Sequence, residues 1–102
     1  MPASELPAEH DHPDSQRIDK WLWYARMVRT RNAAAALVTA GHVRVNGARV
    51  TAAGYALRRG DVITLALDYS VRVIKVGDFC EKRGGAQQAR ALFRSLANER
   101  AV

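Results

Sequence analysis

The sequence predicts an α+β fold: two short helices packed on a small antiparallel sheet, followed by a C-terminal helix. Three observations carry this. Within RIDKWLWYARMVRTRNAAAALVTAGHVRVNG (residues 17–47), apolar residues recur at helical spacing on both sides of a polar connection. An alternating run then ends on Asn46-Gly47, the strongest short hairpin signal. Two later runs, 62–67 and 71–76, are rich in Val, Ile and Leu and read as paired strands.

Charge narrows the function. The chain has 102 residues and a formal charge of +6. Residues 1–16 hold Glu5, Glu9, Asp11 and Asp14 and no Lys or Arg, so residues 17–102 carry 16 basic against 6 acidic side chains, or +10. A small body this basic repels itself unless a polyanion is its partner. Nucleic acid is the first candidate and an anionic membrane surface the second. Cys80 is the one cysteine, so no internal disulfide can form and a reducing compartment is expected. The N-terminus lacks a signal pattern and no apolar run approaches a membrane span, so a cytoplasmic protein without membrane contact is expected.

Three regions are expected. Residues 1–16 contain all three prolines and little apolar surface, and read as a disordered acidic tail. His10 and His12 there read as exposed rather than metal-binding. Residues 17–77 form the folded module. Residues 78–102 form a basic loop and a C-terminal helix packed on it.

The first helix is expected from about Asp19 to Val28, with Ile18, Leu22 and Ala25, joined by Trp21 or Val28, facing inward. Asp19 stands where a carboxylate complements a helix N-terminus. Trp23 and Tyr24 are expected to point elsewhere, in rim packing or against an unpaired base. Thr30 is a good N-cap for a second helix, Arg31–Ala40, and Arg29 and Arg31 flank it; a helix N-terminus beside two guanidiniums is a phosphate site on physical grounds. Gly41 ends that helix in the left-handed region. In His42-Val43-Arg44-Val45 the alternation turns the valines inward and His42 and Arg44 outward. Arg49 returns across the hairpin near Arg44. Arg58-Arg59-Gly60-Asp61 is a turn, and its Arg-Gly-Asp triplet is turn chemistry rather than an adhesion motif. Lys82 and Arg83 extend the basic surface. Residues 86–98 read as the C-terminal helix, with Ala89, Leu92, Phe93 and Leu96 inward and Arg90 and Arg94 on another face.

Arg17-Ile18-Asp19, Leu22, Thr30-Arg31, Ala34, Val38 and Gly41–Gly47 together resemble the S4 RNA-binding domain. Within that superfamily, Asp19–Trp23, Ala25-Arg26 and Arg29–Arg31, with Arg83-Gly84, Ala86, Ala89, Leu92, Phe93 and Leu96, are similar to the ribosome-associated heat-shock proteins of about fifteen kilodaltons. The resemblance covers residues 17 to about 97. It implies an S4-like αL fold that binds structured RNA. The implied contact residues are Arg17, Asp19 and Lys20, then Thr30 and Arg31, then His42, Arg44 and Asn46; Arg29 and Arg49 join them from the charge pattern. The heat-shock relatives imply ribosomal RNA of the free large subunit, carrying a stalled nascent chain, as the partner. Longer members have a further basic extension past the position of Val102, and Gly85 stands where a proline is common. No cofactor or metal is implied.

Rival classes fare less well. A DNA-binding helix-turn-helix protein would share the two short helices, but a second helix made mostly of alanine has few side chains able to reach base edges. A protein-binding adaptor would use residues 86–98. An enzyme would need a catalytic set, and the chain shows no Ser/His/Asp or Cys/His arrangement and no phosphate-cradling glycine loop. A monomer is expected, because no apolar helix face is left over.

Overall fold

A computed structural model describes residues 14–100, with side chains through residue 97. Its elements are β1 (Ser15–Arg17), α1 (Ile18–Tyr24), α2 (Arg31–Thr39), β2 (Val43–Val45), β3 (Ala48–Arg49), β4 (Ala56–Arg58), β5 (Val62–Leu67), β6 (Ser70–Val76), α3 (Ala86–Arg90) and β7 (Phe93–Arg100). The main sheet is antiparallel with order β3-β2-β5-β6-β7, and β1 pairs with β4 in a separate two-stranded ribbon.

One apolar layer joins the parts. Ile18, Trp21 and Leu22 of α1 and Ala34 and Val38 of α2 are fully buried. They meet Val43, Ile63, Leu65 and Ile74, the inward residues of three adjacent strands. Burying a Leu or Ile side chain contributes about 1.5–3 kcal/mol, so this layer outweighs any single polar contact described below.

Both helices end in the same way. After α2, the Gly41 amide donates to Val38 O (3.0 Å) and the His42 amide to Leu37 O (3.2 Å), with Gly41 at φ +86°. This is a Schellman motif, and glycine suits its left-handed position. After α1, Arg26 donates to Trp23 O (3.0 Å) and Met27 to Leu22 O (3.0 Å), with Arg26 itself at φ +59°. The motif therefore closes α1 at Tyr24, four residues before the expected end at Val28. An arginine carries none of glycine's signal for that stop.

The hairpin forms as expected. Asn46 and Gly47 both have positive φ (+52° and +85°), and Arg44 pairs with Arg49. The C-terminal segment is a correction. Its helix is present but covers only Ala86–Arg90. Residues 93–100 instead form the edge strand β7 along β6, with Leu96 as an extra residue where the register shifts opposite Val73 and Ile74. An unpaired β6 ladder gains hydrogen bonds from a strand partner, and this overrides a weak helical pattern. Leu96, expected inward, is 49% exposed.

Regular structure also begins before Arg17, at Ser15. Gln16, assigned to the tail from sequence, is buried and faces Leu57 across the β1–β4 ribbon. Residues 1–13, with His10 and His12, lie outside the described residues.

The loop from Asp78 to Gly85 is held by α1 and its flanks through main-chain carbonyls. Trp21 Nε1 donates to Asp78 O (2.9 Å), Tyr24 Oη to Glu81 O (3.0 Å), Gln16 Nε2 to Cys80 O (2.6 Å) and Arg26 Nη1 to Gly84 O (3.1 Å).

Candidate nucleic-acid interface

Helix entry builds the first cluster. Asp19 lies in the first turn of α1 and is 3% exposed. Its carboxylate accepts Arg17 Nε and Nη2, both at 3.0 Å, and the Lys20 amide at 2.7 Å. Arg31, first residue of α2, brings its Nε to 3.7 Å. A two-toothed Arg–carboxylate pair fixes direction as well as charge. Asp19 thus orients one guanidinium from each helix entry, while 27% of the Arg17 side chain and 42% of the Arg31 side chain stay in solvent. The Arg17 guanidinium lies beside Gly54, where a Cβ would stand 3.7 Å from its Cζ, an ordinary contact.

Thr30 caps α2: its Oγ1 accepts the Ala33 amide at 3.0 Å. Arg29 is exposed on the connection before it. Lys20 sits 5.8 Å above the Tyr24 ring.

The second cluster lies on the solvent face of the sheet. His42, Arg44 and Arg49 line one cleft of about 230 Å³ with Gly41 and Thr64. The Arg49 stem runs past Gly41, where a Cβ would stand 3.5 Å from Arg49 Cδ. His42 also borders a larger groove of about 690 Å³ between α2 and the β5–β6 turn, rimmed by Tyr69.

The chain is similar to known proteins in both sequence and fold. An S4 domain model matches residues 16–63, the span holding both clusters. The heat shock protein 15 homologue of Aeromonas salmonicida is 35% identical over 88 residues, covering 86% of this chain and 66% of that protein. The small ribosomal subunit protein uS4 of Paracoccus denitrificans is 42% identical over 50 residues, 49% of this chain and 24% of that one. The solved heat shock protein 15 of Vibrio cholerae, described as trimeric, superposes with a TM-score of 0.76 at 34% identity, covering 82% of this chain and 84% of that chain.

The chain belongs to the heat shock protein 15 family. It spans 58–66% of the length of the curated heat shock protein 15 relatives it matches.

Set on this family frame, the expected contact residues divide. Arg17, Arg29, Arg31, His42, Arg44 and Arg49 present cationic or polar side chains to solvent in two groups. Asp19 does not fit direct phosphate contact. Asp19 is a buried anion that would repel phosphate, and its work is to hold Arg17 and Arg31. Asn46 also serves the fold: Nδ2 donates one hydrogen to Asp61 Oδ1 (3.1 Å), and Oδ1 accepts the Val62 amide (2.9 Å), while the side chain stays exposed. Thr30 is exposed, and its oxygen accepts the cap bond while its O–H remains a donor.

The base-stacking alternative for the aromatics also falls away. Tyr24 is buried, and Trp23 stacks on it at 5.4 Å while Arg83 lies 5.4 Å from the Trp23 ring. Arg59 is engaged by Asp14 and Asp78, each at 3.3 Å, and by the Phe79 ring at 4.8 Å. The Phe79 amide, donating to Asp78 Oδ1 at 2.8 Å, holds the Asp78 carboxyl below its ordinary range; Arg59 adds to this and slight burial opposes it. Arg26 and Arg72, assigned no contact role from sequence, are brought by the fold from separate elements to line one cleft. Among the described residues, no group of three or more His, Cys, Asp or Glu side chains could hold a metal ion, and no helix is long and apolar enough to cross a membrane.

Proposed function

We propose that this chain is a non-catalytic RNA-binding protein of the cytoplasm. It recognises structured ribosomal RNA and engages free large ribosomal subunits that carry a stalled nascent chain, aiding their recycling. The observation that carries the reading is the Asp19-held pair of guanidiniums at two adjacent helix entries. That is a preset fork for phosphate oxygens, and it lies within the S4-matched span. Family membership and the likeness to a small-subunit ribosomal protein support it further.

Affinity then comes mainly from Lys and Arg displacing counterions. If about four to six phosphates are engaged, log K falls with log salt at a slope of roughly −3 to −5. Recognition is of shape, because side chains cannot read the deep major groove of A-form RNA. Arg31→Ala should cost about 1–3 kcal/mol of RNA binding, the worth of one charge-assisted contact. Fluorescence anisotropy with a ribosomal RNA hairpin tests it, and a loss no greater than that from Lys82→Ala would count against the site. Sedimentation of cell extract on a sucrose gradient tests the ribosomal partner. Co-migration with free large subunits at low salt, released as salt rises, supports it; migration only at the top of the gradient defeats it.

The same reading takes the chain as a monomer. Large apolar side chains exposed among the described residues are few: Tyr69, Val71 and Leu96. Light scattering that gave a trimer, the state described for the Vibrio cholerae protein, would replace it.

A further inference from the structure

A third basic site lies apart from the two clusters above. The α1–α2 connection, β6, α3 and β7 enclose a cleft of about 320 Å³, lined by Arg26, Met27, Arg72, Ala89, Arg90 and Phe93. Arg72 shares the inward parity of Ile74 and Val76 on β6, whereas Arg44 alternates with the buried Val43 and Val45. The cleft therefore opens on the helix-bearing face of the sheet, opposite the His42–Arg44–Arg49 face.

Three features of the cleft ask for an anion. First, three arginines line it and, among the described residues, no Asp or Glu does. Second, Arg72 is partly buried, with no counter-charge among the described residues. Its Nη1 reaches only the Met27 sulfur (3.1 Å), its guanidinium lies 5.6 Å from the Phe93 ring, and its Nε is buried with no acceptor among the described residues. A thioether and a ring face are poor substitutes for water around a cation, so the site keeps unmet attraction for negative charge. Third, Arg26 occupies the left-handed position of the α1 Schellman motif, where Gly or Asn would be less strained. Arg26 lines the cleft, and its Nη1 donates to Gly84 O at 3.1 Å. Strain kept at a charged rim fits a side chain retained for what it binds.

We propose that this cleft binds a phosphate group, clasped by Arg26, Arg72 and Arg90. Guanidinium forks suit phosphate oxygens, and their weak hydration suits a half-buried site. The proposal does not depend on the RNA reading above. A phosphodiester of a second RNA segment and a free phosphate compound share the chemistry, and the test separates them.

The probe is inorganic pyrophosphate, added to the full chain and followed by thermal melting. Two double variants are compared. Arg26→Asn/Arg90→Ala removes two of the three guanidiniums; Asn tolerates positive φ, and Arg90 is exposed with no side-chain contact described, so the fold should persist. Arg44→Ala/Arg49→Ala strips the opposite face. Millimolar pyrophosphate should raise the melting temperature of the wild type and of Arg44→Ala/Arg49→Ala by about 2–5 °C, and that of Arg26→Asn/Arg90→Ala by less than half as much. No rise in the wild type, or an equal rise in both variants, would overturn the proposal. With the site established in this way, binding of a ribosomal RNA hairpin identifies the source. A salt slope shallower by about one in Arg26→Asn/Arg90→Ala assigns the phosphate to RNA. An unchanged slope assigns it to a free phosphate compound.

Discussion

Replacing Asp19 by Asn separates two accounts of how a basic surface grips RNA. The substitution is nearly isosteric and raises the formal charge from +6 to +7. If net charge governed binding, affinity and salt dependence should both rise. The structure argues for the reverse. Asp19 is almost fully buried and accepts two charge-assisted bonds from Arg17, with Arg31 at ion-pair distance. Breaking such a pair in a dry interior costs about 3–5 kcal/mol. Here both guanidiniums keep contact with water and can be resolvated, which brings the cost down to about 2 kcal/mol. For a domain of this length each 1 kcal/mol lowers the melting temperature by about 4–8 °C, so a fall of roughly 8–16 °C is expected. With the carboxylate gone, Arg17 and Arg31 repel and lose their shared direction, and RNA affinity should drop about tenfold, or about 1.4 kcal/mol. Calorimetry gives the first quantity and anisotropy at fixed salt the second. A variant that melts within 2 °C of wild type and binds RNA as tightly or more tightly would refute the reasoning.

Two other substitutions probe the fold. Thr30→Ala deletes the oxygen that accepts the Ala33 amide, and should cost about 1 kcal/mol of stability by chemical denaturation, while Thr30→Ser recovers most of it. Asp78 tests pH dependence. Its folded carboxyl titrates below its ordinary range, chiefly because the Phe79 amide binds the ionised form. The stability this supplies is present above the unfolded value and is lost as pH falls through the folded one. Asp78→Asn should therefore melt below wild type at neutral pH and converge with it in acid. A gap independent of pH would show that the ionised form is not what the Phe79 amide stabilises.

Legibility in the sequence tracked how local each cause was. Asn46-Gly47 announced its hairpin because two successive left-handed residues have few other uses. Thr30 and Gly41 marked both ends of α2 for similar reasons. The end of α1 was illegible because Arg26 performs a glycine's task. Residues 93–97 misled because Ala89, Leu92, Phe93 and Leu96 fit a helical stripe, and only the open edge of β6, set by residues some twenty positions earlier, turns that segment into a strand. In the candidate site, the cationic residues could be read from charge and spacing. The burial of Asp19 could not, because nothing in RID tells whether its carboxylate faces water or two guanidiniums.

The loop after β6 is held in an uneven way. Every described bond that Gln16, Trp21, Tyr24 and Arg26 make to it ends on a peptide carbonyl, a group all twenty amino acids possess. The anchoring side chains are thus irreplaceable donors, while those bonds place no demand on side-chain identity at Asp78, Cys80, Glu81 or Gly84. Saturation mutagenesis should find more tolerance at Cys80 and Glu81 than at Gln16 and Tyr24, the donors of the same contacts; Asp78 stands apart, because its carboxylate holds the Phe79 amide and Arg59. Mutational drift could then recolour those two positions, exchanging acid for base or thiol for hydroxyl, without moving the loop.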